Sequence, residues 1–144
     1  MTDRVSPKVR SKIMSRIRYK DTVAEMMLRK SLYSKGIRYR LNVKSLPGKP
    51  DIVFFKDKIA IFVDGDFWHG KDWNKLQLRL SNGYWLKKIS GNIKRDRLVT
   101  LKLEKGGWMV FRFWESDIKK NVENITSQLI ENMVSNFQTI FVLS

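Results

Sequence analysis

Two short apolar runs, each with an acidic residue at one end, constrain this chain more than any other feature. Residues 52–54 follow Asp51 directly, and residues 59–63 lead directly into Asp64. Runs of this length and composition, separated by a tight turn at 56–57, predict two neighbouring antiparallel strands. Both acids would then lie at one end of the sheet. Clustered carboxylate oxygens suit a hard cation such as Mg²⁺.

Helical and strand patterns alternate along the rest of the chain. Thr22 and Glu25 form a capping box that begins a helix, and Gly36 marks its end. The other predicted elements are a strand over 37–43, a loop over 65–81, a helix over 84–105, a strand over 108–114 and a helix over 119–136. This order predicts an α/β fold with helices on both sides of a central mixed sheet.

The 144 residues are predicted to form one domain. Residues 1–20 would be a basic N-terminal arm or short helix, and residues 119–144 a helix followed by an apolar tail that is either an extra strand or a packing segment. The predicted core positions of the helix over 84–105 are Trp85, Ile89, Ile93, Leu98, Leu101 and Leu103. Those of the last strand and last helix are Trp108, Phe111, Phe113, Trp114, Val122, Ile125, Leu129, Met133 and Phe137.

The charge balance is strongly basic, with 29 Lys and Arg residues against 14 Asp and Glu and a formal net charge of +15. Because the basic residues are spread over the whole chain, a nucleic acid is the favoured partner. A ribosomal or chromatin-like binder and a membrane-surface protein are the alternatives. A polyanionic substrate together with a carboxylate-bound Mg²⁺ predicts hydrolysis of a phosphodiester.

The chain contains no cysteine, so disulfides and thiolate metal sites are excluded. Its first ten residues are polar and basic without the apolar stretch of a signal peptide, and no run approaches the roughly 20 apolar residues of a membrane span. A cytoplasmic, nucleoid-associated protein is expected.

A set of short motifs runs along the chain: Met14, Lys20-Asp21-Thr22 with Glu25, Leu46-Pro47-Gly48-Lys49-Pro50-Asp51, Ile61-Phe62-Val63-Asp64-Gly65, Phe67-Trp68-His69-Gly70, Trp85, Lys88-Ile89, Asn92, Arg95-Asp96-Arg97, Gly107-Trp108, Val110 and Trp114-Glu115. Together these motifs resemble the very-short-patch repair (Vsr-type) DNA mismatch endonucleases. The resemblance implies a restriction-endonuclease-like three-layer fold. It also implies Mg²⁺-dependent nicking of one DNA strand beside a T·G mismatch, with Mn²⁺ as a substitute ion.

The resemblance further implies roles for individual side chains. Asp51 would be the central metal ligand, the main-chain carbonyl of Val63 a second ligand, and Glu25 a ligand acting through a water molecule. Asp64 would also contact the metal, although related chains carry either an acid or a histidine there. His69 would be the acid/base partner, with Asp96 as a supporting carboxylate. The ordinary alternatives are a turn residue for Asp51 and for Asp64, a capping residue for Glu25 and an ion-pair partner for Asp96.

Further residues would contact double-stranded DNA. Met14, Phe67 and Trp68 would wedge into the base stack, although packing roles are their ordinary alternative. The expected polar contacts come from Lys12, Arg16, Lys49, Lys71, Lys88, Asn92 and Arg95.

One departure from the family is large. Related chains hold a structural zinc through three cysteines and a histidine. Here Asp66, Trp73 and Ser116 (or Asp117) stand at the cysteine positions, and Lys71 stands at the histidine position. No structural zinc is therefore expected, and the loop around these residues must be held by packing and hydrogen bonds.

The sequence therefore predicts a DNA nickase of the mismatch-repair kind that acts as a monomer. A sequence- or modification-directed nicking enzyme is the first alternative, and a non-catalytic DNA-binding subunit is the second. Repair or restriction-modification proteins are candidate partners.

Overall fold

The computed structural model describes residues 22–80 and 83–143, with side chains described as far as residue 133. Its elements in chain order are α1 (Val23–Ser34), β1 (Arg40–Leu41), β2 (Ile52–Phe54), β3 (Ile59–Asp64), α2 (Trp73–Arg79), α3 (Gly83–Lys105), β4 (Met109–Trp114) and α4 (Glu115–Leu143). Met14, Lys12 and Arg16 lie outside the described residues, as does the predicted basic arm.

A four-stranded mixed sheet forms the centre, in the order β1-β2-β3-β4. β2 is antiparallel to both β1 and β3, whereas β3 and β4 are parallel because α3 crosses over between them. The predicted antiparallel pairing of the two apolar runs is thus confirmed. Asp51 precedes β2 and Asp64 ends β3, so both acids lie at the same end of the sheet.

The core has two parts, one on each face of the sheet. On one face, buried side chains of β2 and β3 pack against α1 and α4, and Leu28, Ile61 and Leu129 are fully buried there. On the other face, Ala60 and Phe62 of β3 pack against Leu103 of α3. Helices therefore cover both faces, which confirms the predicted three-layer arrangement.

The N-terminus of α1 follows the predicted capping pattern. Thr22 is the N-cap, and its side-chain oxygen accepts a hydrogen bond from the main-chain N–H of Glu25 at 3.2 Å. The glycine-bearing loop before β2 packs closely against α3, because a Cβ on Gly48 would lie 2.3 Å from Val99. Only glycine permits that approach, and its φ of +74° also favours glycine.

Several predicted boundaries and core positions are wrong. The strand predicted over 37–43 shrinks to two residues, because Asn42 adopts a φ of +48° and ends it. Part of the predicted loop over 65–81 forms α2, whose single buried side chain, Leu76, leaves no helical period to detect. Leu98 and Leu101 are 60% and 49% exposed. At about 100° per residue, Leu98 lies opposite the buried Ile89 on α3.

The C-terminal region also differs from the prediction. α4 begins at Glu115 and contains one non-helical residue, Asn121. It continues to Leu143, so the alternative of an extra strand in the tail is wrong; the sequence from 118 onward contains no glycine or proline that would end a helix. The side chain of Phe137 lies outside the described residues.

Among the described residues, no helix has both the length and the apolar character that crossing a bilayer requires.

Candidate active site

An acidic cluster lies at the end of the sheet where β2 begins and β3 ends. Asp51 is held by the main-chain N–H of Val63, which donates to its Oδ2 at 2.7 Å. Burial raises the pKa of Asp51 to about 7; the hydrogen bond from Val63 lowers it, and the neighbouring charges of Glu25 and Asp64 raise it further. The three carboxyl groups therefore share one site. The strand pairing predicted this for Asp51 and Asp64, and the family resemblance implied it for Glu25.

The acids of the site, which are this cluster and the adjacent Asp96, come from three layers. Glu25 reaches it from α1 on one face of the sheet and is only 1% exposed. Asp64 belongs to the sheet itself, and burial raises its pKa even though His69 and Arg112 act to lower it. Asp96 comes from α3 on the opposite face. Burying several carboxyl groups together lowers the stability of the fold. Such an arrangement is typical of a functional site rather than of a structural one.

His69 is placed beside this cluster by a compact loop over residues 65–72. Its Nδ1 lies 2.5 Å from Oδ2 of Asp96 and 3.7 Å from Oδ1 of Asp64. Burial lowers the pKa of His69, but the hydrogen bond to Asp96 and the charges of both acids outweigh it, so the net pKa is raised. A carboxylate on Nδ1 fixes the ring and leaves Nε2 as the nitrogen for proton transfer.

The loop that carries His69 is anchored to α3. Gly70 has a φ of +73°, and a Cβ there would lie 2.6 Å from Ile93 on α3, so glycine allows the loop to pack directly on the helix. The side-chain amide of Asn92 donates to the main-chain oxygen of Trp68 at 2.9 Å. Asn92, predicted to contact DNA, therefore also fixes the loop.

Of the positions that the family resemblance marked as replaced zinc ligands, Asp66, Lys71 and Ser116 (or Asp117) form polar contacts here. Nζ of Lys71 donates to Oγ of Ser116 and lies 3.2 Å from Oδ1 of Asp117. The main-chain N–H of Ser116 donates to Oδ1 of Asp66 at 3.3 Å. Trp73 begins α2. These hydrogen bonds and the ion pair join the 65–72 loop to the first turn of α4.

The predicted wedge residues belong to an aromatic cluster. The rings of Phe67 and Trp68 lie 5.6 Å apart, and each lies 5.4 Å from the ring of the buried Trp85. Both are partly exposed, so packing and DNA contact are compatible. Their insertion into DNA stays a prediction.

The predicted phosphate contacts differ in their surroundings. Lys49, Lys88 and Arg95 are exposed, whereas the ammonium of Lys71 is engaged with α4.

Arg112 lies in this site and was missed by the sequence interpretation. Its Nη1 donates to both carboxylate oxygens of Asp64, at 3.1 and 3.2 Å. The signal was present in the sequence, because a single arginine interrupts the apolar strand 108–114 and a buried charge requires a partner. Trp114, predicted as sheet core, lines the recess that also contains Arg112 and His69.

Comparison with known proteins shows the family of this chain. Residues 2–75 match the family described as DNA mismatch endonuclease Vsr. This chain belongs to the Vsr family of DNA endonucleases. It is 46% identical over 121 residues to a type II nicking enzyme of Neisseria meningitidis serogroup C, covering 83% of this chain and 82% of that relative. It is 42% identical over 130 residues to a type II nicking enzyme of Haemophilus parainfluenzae, covering 88% and 92%.

The chain is also 33% identical over 131 residues to the DNA mismatch endonuclease Vsr of Escherichia coli K12, covering 90% of this chain and 83% of that relative. The Vsr family is restriction-endonuclease-like, so that part of the fold prediction is confirmed. Divalent-metal dependence is typical of the family. The carboxylates here fit that requirement, because oxygen donors are what hard divalent cations bind.

Proposed function

We propose that this Vsr-family chain nicks one strand of double-stranded DNA beside a T·G mismatch, with Mg²⁺ as cofactor and His69 as the proton-transfer group. The observation that carries this proposal is the position of the His69–Asp96 pair. It lies next to the buried acidic cluster of Asp51, Glu25 and Asp64, where a bound divalent cation would stabilise charge on the scissile phosphate.

In this proposal each residue has a distinct task. Asp51, the carbonyl oxygen of Val63 and Glu25 would hold the cation. Asp96 holds Nδ1 of His69, so that Nε2 is directed to the substrate and moves a proton at the reacting phosphate. Phe67 and Trp68 would open the base stack at the mismatch, while Lys49, Lys88 and Arg95 would contact phosphates.

Two replacements test the chemistry. We expect Asp51→Asn to abolish nicking, and His69→Ala to slow it by about 10²- to 10⁴-fold, the usual contribution of general acid–base catalysis. DNA binding should persist in both variants. The matched control is Asp57→Asn in the turn between β2 and β3, which should nick normally. Nicking at the normal rate by Asp51→Asn or His69→Ala would contradict the assignment.

A second candidate is a nicking enzyme directed by a DNA sequence or a modified base. The relatives named type II nicking enzymes favour it, as does the loop around His69, which here lacks zinc-ligand side chains at the four compared positions. A strand-resolved cleavage assay separates the candidates. It uses matched, T·G-mismatched and modified duplexes of one sequence set, each with Mg²⁺, Mn²⁺ or EDTA.

Each outcome of that assay has a definite meaning. A Mg²⁺-dependent nick confined to the mismatch supports the repair function, whereas cleavage of matched or modified DNA supports the second candidate. Inactivity on every duplex with both ions would indicate a non-catalytic DNA-binding protein. Monomeric action and repair or restriction-modification partners stay predictions.

A further inference from the structure

Arg112 occupies the space between the two carboxylates that flank His69. Besides the two hydrogen bonds to Asp64, its Nη1 lies 3.7 Å from Oδ1 of Asp96. Its Nη2 donates to the main-chain oxygen of Asp96 at 3.2 Å, and its Nε donates to Oγ1 of Thr100 at 2.8 Å. The guanidinium also lies 4.0 Å from the ring centre of Phe62. One side chain on β4 thus joins β3 to two turns of α3.

This arrangement is specific to a guanidinium. All three of its nitrogens take part in hydrogen bonds, and the planar group lies against an aromatic ring. A lysine could pair with Asp64 but could not reach Asp96 and Thr100 at the same time. The side chain is 21% exposed, so its charge is largely removed from water and depends on these partners.

We propose that Arg112 is a positioning residue for the nicking reaction: it fixes Asp64 and Asp96 around His69, and it makes Asp64 an arginine partner instead of a ligand of the divalent cation. This inference rests on the proposed function. It also revises one role that the family resemblance implied, since Asp64 was expected to contact the metal.

The charges around Asp64 and Asp51 support a positioning role for the first and a cation-binding role for the second. Both oxygens of Asp64 already accept from Arg112, and a divalent cation on Asp64 would be close to a fixed positive charge and repelled by it. Asp51 differs, because within the described ranges no lysine or arginine forms an ion pair with it. Asp51 is therefore the carboxylate that we assign to the cation.

The first test uses the only histidine in the sequence. Its Nδ1–H resonance, observed by ¹⁵N-edited NMR at one fixed pH without DNA or metal, reports the hydrogen bond to Asp96. We expect this signal in the wild-type protein and in the control Arg38→Met, which removes an exposed guanidinium outside the site. We expect it to be lost in Arg112→Met and weakened in Arg112→Lys.

The kinetic readout should separate positioning from binding. In single-turnover assays, Arg112→Met should nick about 10- to 100-fold more slowly, the range found when a partner of a metal or catalytic ligand is removed, with DNA affinity unchanged. Wild-type nicking and an intact His69 signal in a folded Arg112→Met protein would overturn the proposal. If that variant does not fold, Arg112→Lys and Thr100→Val replace it, and wild-type behaviour in both would overturn it equally.

The second test concerns the cation. Calorimetric titration of the DNA-free protein with Mn²⁺ should show binding in the wild type and in Asp64→Asn, and no binding in Asp51→Asn. Loss of Mn²⁺ binding in Asp64→Asn would overturn one part of the proposal, namely that Asp64 is an arginine partner and does not bind the cation. Neither the NMR nor the calorimetric test requires nicking. A wild-type protein that cuts no duplex would therefore contradict the proposed function without affecting these results.

Discussion

At the scale of single residues, the surroundings of Asp51 strongly change the pKa of its carboxyl group. Burial raises its pKa from 3.8 to about 7. The pKa of this carboxyl group is therefore higher in the folded state than in the unfolded state. Its contribution to the free energy of unfolding is complete below pH 3.8. That stability is lost as the pH rises towards 7. The site gains a carboxylate able to bind a cation at the expense of folding free energy.

This linkage predicts how Asp51→Asn changes stability. In EDTA, the variant should be more stable than the wild type at pH 8, by at most about 4 kcal/mol from about 1.4 kcal/mol per pKa unit, and the gain should shrink as the pH falls towards 4. Urea unfolding at both pH values measures it. Asp57→Asn, the control, should show no such pH-dependent gain. A gain equal at pH 4 and pH 8 would contradict the assignment of the raised pKa to Asp51.

At the scale of elements, the loop carrying His69 is held between two helices. Asn92 and the contact at Gly70 attach it to α3, while Lys71 and Asp66 attach it to the first turn of α4. These contacts span the positions where related chains would bind zinc. Here they hold the loop through an ion pair and hydrogen bonds, which makes the position of His69 sensitive to charge at Lys71.

A charge exchange tests this attachment. Lys71→Asp and Asp117→Lys should each slow nicking and lower the free energy of unfolding by about 1 kcal/mol, the scale of a partly exposed ion pair. The double variant should recover part of both losses, because opposite charges face each other again. Lys75→Asp in α2 is the control for an exposed lysine. Additive losses of stability in the double variant would contradict this attachment. Slower nicking with unchanged stability in Lys71→Asp would instead indicate that Lys71 acts through DNA phosphates, as the sequence interpretation predicted.

At the scale of the whole molecule, the formal charge of +15 sets the electrostatics of DNA binding. Each phosphate neutralised by a lysine or arginine releases counterions, so the affinity falls as the salt concentration rises. Lys88 and Arg95 are exposed near the N-terminal half of α3, the helix that also carries Asp96. We therefore predict that both contact phosphates of the bound duplex.

Salt titrations should identify these contacts. Lys88→Ala and Arg95→Ala should each reduce the slope of log affinity against log salt by about one, the value expected for one phosphate contact. Lys102→Ala is a matched control, because Lys102 is exposed on the same helix, about 20 Å from Lys88 and about 10 Å from Arg95 at 1.5 Å per residue. An unchanged slope for both variants, or an equal change for Lys102→Ala, would contradict the predicted phosphate contacts.

The sequence by itself determined strands β2, β3 and β4, the capped first helix and the acids at one end of the sheet, because these follow from local composition and from the period of apolar residues. The motifs around Asp51 and His69 also identified the family. The sequence interpretation missed the exposure of two leucines on α3 and the helix over 73–79. Partial burial leaves only a weak periodicity of apolar residues in these segments.

Only the tertiary structure decided which charges meet. Arg112 lies far from Asp64 and Asp96 in the sequence, and the parallel pairing of β3 with β4 and the packing of α3 bring them together. The attachment of Lys71 to Asp117 likewise joins a loop to a distant helix. Hydrogen bonds and ion pairs act over a few ångströms, so they depend on the packed fold and cannot be read from local sequence patterns.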